Sequence, residues 1–158
     1  MDVLHVASSW LHELAAVALL GYYASLAFVV LPAVRGTAGR SLGAAIQATE
    51  RRALPWLLAC VVVFFVTGIS LLVSDAHFGG IGNLFASTWS TLLAAKHVLV
   101  IVMVVVGAVV DLLLVPDMTL AETDAEVARA YARVRRSMLA LTLLGALVLL
   151  LTAAAQAS

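Results

Sequence analysis

An all-α, integral-membrane four-helix bundle is what this sequence predicts, and three observations predict it. The 158 residues are 64% apolar and 11% charged, far from the roughly 45–50% and about 25% of soluble domains. The apolar residues gather into four runs, 10–34, 54–73, 92–115 and 138–155, each able to cross a hydrocarbon core of about 30 Å at 1.5 Å per residue. None of the runs alternates apolar with polar residues, so barrel strands are excluded and helices remain as the spanning form. A single transmembrane domain over residues 1–158 holds all four.

Orientation follows from the basic residues. Eight of the nine, Arg35, Arg40, Arg51, Arg52, Arg129, Arg133, Arg135 and Arg136, lie in the two segments between runs one and two and between runs three and four. The positive-inside rule makes those segments cytoplasmic, which predicts a multi-pass protein of the inner or plasma membrane with both termini outside. No basic residue precedes the first run, which is also too long for a signal-peptide core, so a cleaved signal is not expected. Net charge is zero and the arginines sit where lipid headgroups are, so the lipid bilayer is the expected partner and nucleic acid is not. Partner membrane subunits or a homo-oligomer fit the same composition.

Each span has recognisable ends. Trp10 and Trp89 suit the outer interface and Trp56 the inner one. Pro32 and Pro116 mark the inner ends of spans one and three. The segment 75–89, with Gly79, Gly80 and Gly82, reads as an outer loop. Thr123 followed by Glu126 forms a capping-box pattern, so the fourth helix should begin inside the cytoplasm. The second should extend likewise from near Ser41 and bend at Pro55. The lone Cys60 allows no internal disulfide and reads as a small core residue.

The two halves follow one plan. Pro32 precedes Arg51 and Arg52 by 19 and 20 residues, and Pro116 precedes Arg135 and Arg136 by the same spacings. Two hairpins with one plan imply a pseudo-two-fold repeat about the membrane normal. His12 lies 20 residues before Pro32 and His97 lies 19 before Pro116, so the repeat predicts two imidazoles at nearly equal depth, facing across the axis.

All four histidines, His5, His12, His77 and His97, fall on the outer side, and imidazoles near a bilayer mark candidate functional sites. One reading is axial ligation of haem b by His12 and His97, with Lys96 the cation for its propionates and Glu13 supporting an imidazole. Another is a copper or zinc site of His12, His97, His5 and His77, since imidazole suits copper(II) or zinc. His5 and His12 are seven residues apart, which puts them on one helical face. A third is that all are interfacial histidines without a cofactor. Glu13 and Lys96 lie at comparable depth and could form an ion pair. Asp111 either bonds backbone groups near its helix end or relays protons. Tyr22 and Tyr23 read as packing residues whose hydroxyls need partners.

Thr67-Gly68, Ser87-Thr88-Trp89, Leu92-Leu93, Lys96-His97, Trp10-Leu11-His12 and Pro32 together resemble the copper-resistance D (CopD-like) membrane family. The resemblance implies a small polytopic bundle concerned with copper. A more distant likeness is to HemJ-type protoporphyrinogen oxidases, which would map a haem-associated histidine and lysine to His12 and Lys96. The tryptophan such proteins often carry beside the helix-1 glycine is absent, Leu20 preceding Gly21. Electron transfer or metal and haem handling, a porphyrinogen oxidase, and a cofactor-free subunit of a larger membrane complex are thus the functions to separate, and whether the chain is an enzyme stays open.

Overall fold

The computed structural model describes residues 3–37, 41–75, 80, 83 and 85–157. Four helices long and apolar enough to cross a membrane carry the chain: α1 (Val3–Arg35), α2 (Leu42–Ser74), α3 (Thr88–Leu120) and α4 (Asp124–Gln156), each of 33 residues. Large apolar side chains point outward along all of them, Val17, Phe28, Val62, Ile101 and Leu143 among them. Such a surface is compatible with lipid rather than water.

The helix ends are those the local chemistry dictates. Ser87 caps α3 through a capping box with Ser90, and Thr123 caps α4 through one with Glu126, satisfying amides that the first turn leaves unpaired. α2 runs unbroken through Pro55 from its N-cap at Ser41. Trp10 and Trp56 are exposed at opposite ends, as interfacial indoles should be. Cys60 is half-buried rather than part of the core.

One feature was not foreseen. α1 widens into a π turn at Leu26–Val30 and α3 does so at Val110–Leu114. The proline just beyond each turn, Pro32 or Pro116, has no N–H and crowds the carbonyl four residues back. A wider turn upstream relieves that crowding, with Leu31 N–H donating to the Leu26 carbonyl and Val115 N–H to the Val110 carbonyl. The two π turns, the two prolines and the two arginine pairs are each 84 residues apart. The repeat is therefore structural, and it corrects the register: the counterpart of His12 is Lys96, and His97 is the counterpart of Glu13. One residue is about 100° around a helix, so the two histidines are not symmetry mates.

α1 packs along α2, α3 along α4, and α4 closes against α1. α2 meets α3 chiefly through Val115–Leu120, while the stretch Thr88–Val109 makes almost no contact with it. That one seam touches backbone to backbone: a Cβ on Gly43 would lie 2.5 Å from the Met118 carbonyl oxygen. The hydrophobic core, including Leu31, Ile46, Val115, Val134, Met138 and Leu141, occupies the arginine-rich end. Toward the histidine-bearing end the bundle opens between α2 and α3.

Candidate functional site

The opening is a cavity of about 370 Å³ to which all four helices contribute. Its walls are apolar, among them Leu20, Phe64, Val100, Met103 and Val148, and its polar lining residues are Tyr23 and Asp111 at the arginine-rich end. Phe64 joins the cavity to His12 above it.

The His12 ring stacks on Phe64, with centroids 4.2 Å apart and planes 20° from parallel. Its Nδ1 lies 3.0 Å from the Phe64 carbonyl and 3.1 Å from Thr67 Oγ1. The Thr67 hydroxyl donates to the Val63 carbonyl at 2.6 Å, so toward His12 it can only accept. Nδ1 therefore carries the proton and shares it between two acceptors, which fixes the tautomer from its partners. Gly68 makes room for the ring, since a Cβ there would lie 3.0 Å from His12 Cε1. His97 repeats the pattern within its own helix, its Nδ1 donating to the Leu93 carbonyl at 2.7 Å. In both rings Nε2 is without a hydrogen-bond partner among the described residues, and in the neutral form it keeps its lone pair. Backbone-anchored Nδ1 with a free Nε2 is the arrangement that orients ligating histidines.

The other expected site residues divide. Glu13, Lys96 and His97 all lie within electrostatic range of His12. Glu13 is nevertheless exposed, and no ion pair joins it to Lys96 among the described residues. The expected pair does not form because Glu13 faces outward while the partly buried Lys96 interacts with Asp75. His5 is exposed. His77 lies outside the described residues, as do Gly79 and Gly82. No group of three or more His, Cys, Asp or Glu able to hold a metal is found among the described residues.

Sequence reasoning missed Glu50 entirely. It is 7% exposed, and its Oε2 accepts from the Tyr22 hydroxyl at 2.7 Å. Its place directly before Arg51-Arg52 gives no local signal of burial. Asp111 does not cap its helix end. It turns inward to line the cavity and interacts with Glu50.

Fold and site together define a polytopic α-helical membrane protein with imidazoles at one end of an interhelical cavity. The chain belongs to the copper resistance protein D family, whose pattern it matches over residues 47–155. The match takes in most of α2, all of α3 and all but the last residue of α4, including Thr67, Lys96 and His97, and begins after α1. No curated protein and no solved structure is significantly similar to the chain.

Proposed function

We propose that this protein handles copper in the membrane, taking the ion as cargo on Nε2 of His12 and His97. The observation that carries this reading is the hydrogen bonding the two rings share, each with Nδ1 on a backbone carbonyl and the Nε2 lone pair left for an ion. Imidazole nitrogen suits copper(II), and the family to which the chain belongs is one of copper resistance. Thr67 and the Phe64 carbonyl position His12, Gly68 makes the space, and the Lys96 ammonium favours anionic or neutral forms of whatever accompanies the ion. Glu13, His5 and His77 serve as auxiliary outer ligands at most. The same nitrogens would also accept zinc.

In this reading the arginine-rich end faces the cytoplasm of an inner or plasma membrane, and both termini lie outside. A Cys60→Ala background carrying a single cysteine at Ser8 or at Glu122 should label from opposite sides. Labelling of Ser8→Cys from the cytoplasm would overturn the orientation.

Copper(II) titrated into the full chain in lipid nanodiscs should give an electron paramagnetic resonance spectrum with nitrogen hyperfine structure. His12→Ala and His97→Ala should each weaken binding at least tenfold, and His5→Ala should change it little. Undiminished binding in the double variant would end the proposal. A second reading, haem b held between the same imidazoles and passing electrons, draws on the apolar cavity beside them. Sharp reduced-minus-oxidised α and β bands, lost with either histidine, would favour it over copper.

A further inference from the structure

Beneath the cavity lies a second polar group that copper handling does not use. Glu50 is more than nine-tenths buried, and only one of its oxygens is satisfied. Tyr22 donates to Oε2 at 2.7 Å, whereas Oε1 is fully buried with no hydrogen-bond partner among the described residues. A buried acceptor left without a donor carries its full desolvation penalty, larger when charged. The candidate partner is the Asp111 carboxyl, which interacts with Glu50 and also lines the cavity. Two ionised carboxylates have only acceptors to offer one another. One proton between them supplies the missing donor and turns mutual repulsion into an O–H···O bond.

No other group fills that role. α1 brings Tyr22 and Tyr23 toward the pair, α2 brings Glu50 and α3 brings Asp111. Among the described residues no basic side chain pairs with either carboxyl. Arg51 and Arg52 are exposed, and Arg35 lies over the Tyr131 ring at 4.8 Å. On α4 the repeat places buried Val134 at this level, and its neighbours Arg133, Arg135 and Arg136 are exposed, Arg133 pairing with Asp117.

The repeat also shows that packing does not require the acids. The 84-residue offset relates Glu50 to Val134 and Asp111 to Ala27. Val134 and Ala27 are both 0% exposed and belong to the core. The same two positions are thus filled by apolar residues in one combination of helices and by carboxyls in the other. An uncompensated acid inside a membrane protein marks a proton or ion path rather than a packing solution.

We propose that Glu50 and Asp111 hold one exchangeable proton between them, forming a proton-binding site at the arginine-rich floor of the central cavity. Tyr22 orients the pair by donating to Glu50 Oε2. The site is open to whatever occupies the cavity through Asp111, and through Glu50 it lies one residue from the exposed Arg51-Arg52 pair of α2. Proton uptake requires no co-reactant: the proton moves from water to the carboxyl pair and back.

Infrared spectroscopy of the full chain in lipid nanodiscs tests this directly. Near neutral pH a protonated-carboxyl C=O band should be present. It should shift in heavy water and vanish in both Glu50→Gln and Asp111→Asn. Tyr22→Phe should retain the band at a changed frequency. Should a variant fail to fold, heavy-carbon labelling of all aspartate or all glutamate carboxyls moves the band in the unaltered protein. A neutral-pH spectrum lacking any such band would overturn the site, as would a band insensitive to heavy water. Neither outcome bears on copper binding by the histidines.

Discussion

The two ends of this bundle are built by different rules. At the arginine-rich end the helices interlock: π turns, close glycine contact and a continuous apolar core hold all four together. At the histidine-bearing end α3 stands away from α2, buried side chains are few, and the imidazoles are tied to backbone carbonyls, His97 within α3 and His12 across to α2. A membrane offers little hydrophobic force between helices, so association rests on close packing and hydrogen bonds. Concentrating the packing at one end frees the other to hold a cavity and to aim imidazoles. Most of the packing lies at one end and the imidazoles lie at the other.

Substitutions can break that contrast. Leu141→Ala, which empties a fully buried position, should cost about 2–4 kcal/mol and markedly lower the thermal midpoint in detergent. Val104→Ala on the cavity wall should stay within about 0.5 kcal/mol. Equal losses at the two sites would mean that the open end is packed after all.

Glycine replacements sharpen the contrast further. Gly43→Ala sets a methyl against the Met118 backbone, which cannot yield, and should cost about 1–3 kcal/mol. Gly145→Ala meets the flexible ends of the Leu20 and Met103 side chains, at 2.7 and 3.4 Å, and should be milder in the same melt. Gly68→Ala presses on the His12 ring, so it should reduce copper binding more than it reduces stability.

Smaller effects are expected from single polar groups. Thr67→Val removes one of two acceptors for His12 Nδ1–H and should weaken copper binding about tenfold, read from the same titration, with about 1 kcal/mol or less of stability lost. Smallest of all, Arg133→Ala breaks a half-exposed ion pair with Asp117 at 3.6 Å. Such pairs are worth between zero and about 1 kcal/mol, and the melt should barely move.

Much of this architecture is written in one dimension. Four apolar runs, two prolines, two arginine pairs and the Thr123 capping box specify the spans, the hairpins and the repeat, because helix length, proline sterics and capping are local matters. The family resemblance was legible in Thr67-Gly68 and Lys96-His97, and the match over residues 47–155 bears it out. The register of the repeat was less legible. Histidine spacing placed His12 opposite His97, whereas the π turns pair His12 with Lys96.

What the sequence by itself determined is which residues must lie in the membrane and at which end. Which way each side chain turns about its helix was decided by the tertiary structure alone. His12 rests on Phe64 and Thr67 of α2, Glu50 points inward to Tyr22 while its neighbours Arg51 and Arg52 point out, and Asp111 faces a cavity instead of its own helix end. The physical reason is that nearly every face of these helices is apolar. Without an amphipathic stripe to orient them, rotation is set by the few places where backbones touch.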